Sequence, residues 1–131
     1  MLLGIAYREQ LVGYVQLAFI SHLERRAALG FVVAERSARR QGVGQAAVIL
    51  AMDYGFSLQD LDRIYAEVYP FNAPSLRLLH RIGFQREGLL RQHEIHQGQR
   101  IDLVVLGMLR GEFYARHPSR LPSQLATDRA P

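Results

Sequence analysis

The sequence predicts a single α/β domain built around a mixed sheet, and three observations support this prediction. The chain has 131 residues, of which 49% are hydrophobic, so it can bury one sizeable core but is too short for two ordinary domains. Apolar, β-branched segments typical of strands alternate with segments of helical periodicity. One predicted strand leads through a polar loop into a helix that has glycines at its start.

The predicted elements follow the order βββαβαββ. Apolar and β-branched residues cluster between polar turns and predict strands at residues 2–7, 11–19, 28–33, 64–69, 84–96 and 101–109. Apolar residues recur at helical spacing over residues 42–58 and predict the first helix. A second helix is predicted over residues 74–82, because Pro74 suits its start and Gly83 suits its end.

The domain is expected to cover residues 1–110. From Gly111 onward the chain carries Pro118, Pro122 and Pro131 and shows no apolar periodicity. Residues 111–131 are therefore predicted to form a loose tail.

The composition excludes several classes of site. Cysteine is absent, which excludes disulfides, thiolate nucleophiles and cysteine zinc sites. Lysine is also absent, so neither a Walker lysine nor a lysine Schiff base is possible. The net charge of +4 favours anionic ligands, among which nucleic acid must be considered.

Nothing in the sequence indicates a membrane span. The longest apolar run, residues 46–52, is far shorter than the roughly 20 residues that a spanning helix needs. The amino terminus lacks a basic region that leads into an apolar segment. We expect a soluble, cytoplasmic protein.

The segment from Arg39 to Ala46, RRQGVGQA, has the composition of a phosphate cradle. It places two glycines where a loop becomes the first turn of a helix, so free backbone amides and the positive end of the helix dipole converge there. Glycine lets the backbone approach a diphosphate, and Arg39 and Arg40 add positive potential. Taken alone, the segment fits a purely structural turn equally well.

A second pattern lies downstream, where Asn72 and Ser75 precede a predicted helix that ends at Gly83-Phe84. With Arg-x-x-Gly-x-Gly at residues 39–44 directly after a strand, the sequence resembles the GNAT superfamily, and is most similar to the branch of ribosomal-protein-alanine and spermidine N-acetyltransferases. The resemblance implies the GNAT fold and acetyl-CoA as cosubstrate. Because the sequence has no cysteine and no evident activated serine, we expect direct attack by an amine in a ternary complex rather than a covalent acyl-enzyme.

The resemblance also implies which residues hold acetyl-CoA. Amides from about Gln41 to Gln45 would bind the pyrophosphate, and Asn72 would contact the cofactor arm. Apart from the resemblance, Arg81 is a candidate for the 3′-phosphate, although an arginine on a helix face is usually only solvated. A backbone amide around Val33 to Glu35 would stabilise the tetrahedral intermediate. The full candidate set is Val33, Arg39, Arg40, Gln41, Gly42, Val43, Gly44, Gln45, Asn72, Ser75 and Arg81.

The sequence departs from its relatives where they place proton-transfer groups. Leu79 occupies the position at which many relatives carry a tyrosine, and Ala28 stands where this branch often has a glutamate. Glu67 is the first candidate base and Tyr69 or Glu35 the next, although Glu67 also fits a solvent-facing strand residue. His93 and His96 lie three apart on a predicted strand and so point to opposite faces, and we predict no metal site.

A second departure concerns the acceptor site. Relatives have a strand and two helices ahead of the point where this sequence begins, and those helices usually wall the acceptor site. Either the chain is a truncated form or a partner subunit completes the pocket, and we expect a homodimer.

Three functions remain open from the sequence. The first is an N-acetyltransferase acting on a protein N-terminus, a small amine or a polyamine, with the polyamine disfavoured by the net positive charge. The second is a non-catalytic acyl-CoA-binding or regulatory module. The third, a basic nucleic-acid-binding domain, is disfavoured because the aromatic strands lack interleaved arginines.

Overall fold

The computed structural model describes residues 1–33 and 42–119. Within these residues the elements, in chain order, are β1 (Leu2–Tyr7), β2 (Gln10–Ser21), β3 (Arg26–Val33), α1 (Val43–Ser57), β4 (Arg63–Val68), α2 (Ala73–Ile82), β5 (Gln85–His96), β6 (Gln99–Leu109) and α3 (Arg110–Arg116). The predicted order βββαβαββ is confirmed, and a short third helix follows it.

In the described part of the chain, the strands form one six-stranded sheet in the order β1-β2-β3-β4-β6-β5. β3 and β4 pair in parallel, whereas the neighbouring pairs are antiparallel. The predicted mixed, mostly antiparallel sheet is therefore confirmed. β1 and β5 form its two edges.

One face of the sheet carries α1 and α2, and we call it the helix face. Successive residues of a strand point to opposite faces, and on β4 the buried residues Ile64, Ala66 and Val68 alternate with Tyr65 and Glu67. The buried residues of β4 join those of α1 and α2 in a single apolar core. We call the opposite face, which carries Tyr65 and Glu67, the outward face.

The segment after β6 corrects the expectation of a loose tail from Gly111. Arg110–Arg116 is helical, and Phe113 is completely buried with its ring 5.2 Å from that of Phe56. The His117 ring nitrogen Nε2 also lies 2.8 Å from the Ile82 carbonyl oxygen. Two turns are too short to show periodicity, whereas the apolar site for Phe113 exists only once α1 and β6 have packed. Residues 120–131 lie outside the described residues.

Candidate active site

The parallel strands β3 and β4 separate towards their carboxyl ends. They pair only from Arg26↔Arg63 to Ala28↔Tyr65, although β3 continues to Val33 and β4 to Val68. We call the space between the separated ends the cleft. Crevices at the carboxyl ends of strands are where α/β sheets bind ligands. In the sequence, α1 is the helix that follows β3, and α2 is the helix that follows β4.

Gly42 stands at the amino end of α1 with φ of 73° and ψ of 14°, which is left-handed backbone that favours glycine. A Cβ added to Gly42 would meet no atom within 4 Å, so space is open around it. The first turn of α1 carries no acidic residue, so no carboxylate within that turn opposes the positive end of the helix dipole. Arg39, Arg40 and Gln41, which complete the predicted cradle, lie outside the described residues.

Gly44 differs from Gly42 because it is buried. A Cβ on Gly44 would lie 2.9 Å from Val33 Cγ2 and 3.5 Å from Leu78 Cδ1. This glycine therefore allows α1 to pack closely on the end of β3 and on α2. Val33 lies beneath α1 with its backbone at the edge of the cleft, opposite Gly13 of β2.

A cavity of about 810 Å³ lies beside Gly42 and follows α1. Gly42, Val43 and Gln45 lie at one end of its lining, and Phe113 and His117 lie towards the other. Val43 and Gln45 are half-buried. The side chains of Val43 and Gln45 thus border an open groove beside Gly42.

α2 holds the other candidate cofactor residues. Asn72 caps this helix, since its side-chain oxygen accepts a hydrogen bond from the Ser75 backbone amide at 3.3 Å. Arg81 Nε donates to Gln45 Oε1 at 3.3 Å, so the structure brings these two candidates together. Leu79 is completely buried in the core, and α2 consequently presents no proton-transfer group at this position.

Glu67 and Tyr69 lie on the outward face, at the carboxyl end of β4. Glu67 is exposed and pairs across the sheet with Val105. The Tyr69 hydroxyl donates a hydrogen bond to Glu94 Oε2 at 3.0 Å, and this bond raises the pKa of Tyr69. A tyrosine with a raised pKa keeps its proton, so Tyr69 is poorly suited to accept one, and it is also a weaker acid than a free phenol.

Residues 1–85 match the acetyltransferase (GNAT) domain family. The chain belongs to this family. An uncharacterized N-acetyltransferase, p20 of Bacillus licheniformis, is 35% identical over 105 residues, which are 80% of this chain and 58% of that protein. The spermidine N(1)-acetyltransferase of Escherichia coli K12 is 32% identical over 80% of this chain and 56% of its own length. The predicted resemblance is confirmed.

A solved GNAT structure has the same fold. RimJ of Mycobacterium smegmatis, in complex with CoA-disulfide, has a TM-score of 0.77 at 30% identity and covers 82% of this chain and 51% of that chain. The chain spans about three fifths of the length of the curated relatives that it matches first. The GNAT fold predicted from the two motifs is therefore confirmed.

Sequence reasoning missed a cluster beside Tyr69 in this GNAT domain. Phe71 and His96 pack against the Tyr69 ring, with centroids 5.3 Å and 5.0 Å away. Glu94 and His96 lie two residues apart on β5, and this spacing places both on one face of a strand. Comparing Glu94 with His96, rather than His93 with His96, would have shown that shared face. The pairing with Tyr69 requires the tertiary structure.

The described residues show neither a metal-binding cluster nor a membrane-spanning helix. Residues 1–33 and 42–119 contain no group of three or more acidic or histidine side chains that could hold a metal ion. None of the helices described is long and apolar enough to cross a membrane. The expected cytoplasmic location stays a prediction.

Proposed function

We propose that this GNAT domain transfers an acetyl group from acetyl-CoA to a primary amine. The observation that carries the proposal is the cleft between β3 and β4, with Gly42 at the open, positively polarised start of α1 beside it. Membership of the GNAT family and the CoA-disulfide complex of the similar RimJ support acetyl-CoA as the cosubstrate.

The proposed cofactor contacts follow from the positions of the candidate residues. The backbone amides at Gly42 and Val43, continuing the cradle from Arg39, Arg40 and Gln41, hold the pyrophosphate. Asn72 and Ser75 face the cofactor arm from the start of α2, and Arg81, fixed by Gln45, contacts the 3′-phosphate. The Val33 backbone, at the end of β3, stabilises the developing oxyanion.

Acetyl-CoA supplies an acetyl thioester, whose carbonyl carbon is open to attack by an amine. An acceptor amine has a pKa near ~10 in water, so it must lose a proton before its nitrogen bonds to that carbon. Glu67 accepts this proton, directly or through water. Tyr69, which keeps its hydroxyl proton near neutral pH, then gives a proton to the sulfur as the carbon–sulfur bond breaks.

Glu67→Gln tests the assignment of the base. The pH-rate profile should lose its acidic limb and turnover should fall by about 100-fold, because a general base contributes ~10²–10⁴-fold. An unchanged profile with unchanged turnover would remove Glu67 from the mechanism.

Calorimetric titration with acetyl-CoA and desulfo-CoA tests the cofactor site directly. Gly42→Asp should weaken both affinities by up to about 1,000-fold, because two like charges about 4 Å apart repel by roughly 4 kcal/mol near a protein surface. Gly98→Asp is the matched control, since Gly98 also has a positive φ of +79° and open space around it, but lies in the β5–β6 turn. Equal losses in the two variants, or no binding by the wild type, would contradict the proposed cradle.

A non-catalytic acyl-CoA-binding module is the second candidate, favoured by the buried Leu79. This candidate predicts the same binding of acetyl-CoA and desulfo-CoA in the titrations, but no acetylation of any amine in a substrate screen. A basic nucleic-acid-binding domain instead predicts steeply salt-dependent binding to DNA or RNA.

We also propose a homodimer formed through β1 and β2. Leu2 and Leu11 are 65% and 77% exposed at this edge of the sheet, where they line a shallow apolar groove with Tyr14. Light scattering at high micromolar concentration should give twice the monomer mass, and Leu11→Glu should restore the monomer. Leu23→Glu, at a residue that is 90% exposed between β2 and β3, is the matched control. A monomeric wild type would contradict the dimer.

A further inference from the structure

Three aromatic rings meet on the outward face, just past the end of β4. The ring centroids of Tyr69 and Phe71 are 5.3 Å apart, those of Tyr69 and His96 are 5.0 Å apart, and those of Phe71 and His96 are 5.6 Å apart. We call these three residues the aromatic platform. Glu94 borders the platform, because its Oε2 accepts a hydrogen bond from the Tyr69 hydroxyl at 3.0 Å.

Core packing does not explain the platform. Phe71 is 62% exposed, and it lies outside the apolar cores that hold the buried residues of the sheet and helices. An exposed phenyl ring gains little from the hydrophobic effect. Its exposed face is open to a ligand.

The chemistry of the platform selects a cation. The face of an aromatic ring carries partial negative charge and attracts an ammonium group within about 6 Å of its centroid. The Glu94 carboxylate adds a full negative charge beside the rings. Arg100, the arginine nearest the turn of the same hairpin, pairs with Ile95 and so points to the face opposite His96. An anionic ligand such as nucleic acid would meet Glu94 and Glu67 on this face.

The platform lies within reach of the proposed reaction centre. Tyr69 follows Glu67 by two residues along one strand direction, so their Cα atoms are roughly 6–7 Å apart on one face. Phe71 directly precedes Asn72, the cap of α2 and a candidate cofactor residue. A short aliphatic chain could therefore join an ammonium group on the platform to an amine beside Glu67.

We propose that the aromatic platform and Glu94 bind a second, non-reacting alkylammonium group of a small acceptor. The acceptor class is then a short aliphatic diamine, whose first nitrogen is acetylated while the second stays charged on the platform. This specificity rests on the proposed acetyltransferase function. The platform and Glu94 would attract cations locally, although the net charge of the whole chain is +4.

The test uses putrescine and pentylamine, which differ in that a terminal ammonium replaces a methyl group. Wild type should prefer putrescine in kcat/KM by about 3- to 10-fold, which is the size of a partly exposed cation–π contact. Phe71→Leu keeps an apolar side chain but removes the ring, so it should raise KM for putrescine by a similar factor and leave pentylamine unchanged. Phe19→Leu, at a phenylalanine that is 84% exposed on β2, is the matched control.

A binding measurement separates this proposal from the acetyltransferase function. Putrescine is titrated into protein saturated with desulfo-CoA, which cannot transfer an acetyl group. Binding that is weakened by Phe71→Leu and by Glu94→Gln, but not by Phe19→Leu, supports the platform even where no turnover is found. Equal affinity of wild type and Phe71→Leu for putrescine, or an equal loss of activity towards both amines, would overturn it.

Discussion

The two ends of α1 differ in whether side chains of the protein form hydrogen bonds there. At the amino end, Gly42 has no side chain to cap the helix, and no side-chain cap is formed within the described residues. At the carboxyl end, the buried Asp53 and Ser57 are hydrogen-bonded to each other and to the Tyr114 hydroxyl, and Asp53 also accepts from Ser119. A buried polar group without a partner costs about 1–3 kcal/mol, so the chain supplies its own partners where it buries them. The end left open is the one proposed to receive a ligand.

Phe113→Ala should have the largest effect, because it removes the apolar contact that holds α3 against the carboxyl end of α1. Phe113 is completely buried, and such a truncation typically lowers the free energy of unfolding by about 3–5 kcal/mol. Denaturant unfolding measures this loss, with Leu109→Ala, at a residue 48% exposed, as the control. Acetyl-CoA affinity of the remaining folded protein should stay unchanged. A large loss of affinity would mean that the two ends of α1 are coupled.

Tyr114→Phe should lower the free energy of unfolding by about 1–2 kcal/mol near neutral pH, because Asp53 and Ser57 lose a hydrogen-bond partner. Burial and the bond to Asp53 raise the pKa of Tyr114 from 10.0 to about 12. The folded protein therefore keeps this proton from about pH 10 to pH 12 while the unfolded chain loses it, and wild-type stability falls as pH rises through this window.

Unfolding curves at several alkaline pH values test that dependence. Tyr114→Phe should lose less stability than wild type between about pH 10 and pH 12. Tyr54→Phe is the control, because it removes a hydroxyl on α1 that accepts a hydrogen bond from Gln59 and leaves Tyr114 in place, so its unfolding curves should match those of the wild type. Parallel curves for wild type and Tyr114→Phe would contradict the raised pKa.

Gly44→Ala should have the smallest effect, a loss of about 1 kcal/mol, because overpacking against Val33 exceeds the gain in helix propensity. Adding Val33→Ala makes room for the new methyl group and should recover the loss. Gly42→Ala is the contrast, since its methyl group meets no atom and its cost comes from positive φ. Rescue of Gly42→Ala by Val33→Ala, or failure to rescue Gly44→Ala, would show that the two glycines do not differ in this way.

Those two glycines show how far a motif can be interpreted without a structure. The pattern Arg-x-x-Gly-x-Gly indicated both as cofactor glycines, and the spacing located the start of α1 correctly. The structure gives only Gly42 open space, whereas Gly44 is buried against Val33 and Leu78. Sequence spacing could not separate the two roles, because both require a residue without a Cβ.

The sequence by itself determined the elements and the family. Period-2 and period-3.6 apolar patterns are local, so the order βββαβαββ could be derived from the chain alone, and two motifs in the right order identified the GNAT domain. The tertiary structure decided which distant residues meet. The opening of the cleft beyond Ala28 and Tyr65, the docking of Phe113 on Phe56, and the meeting of Tyr69 with Glu94 join residues far apart in sequence. Their contacts depend on strand pairing and helix packing, which no local pattern encodes.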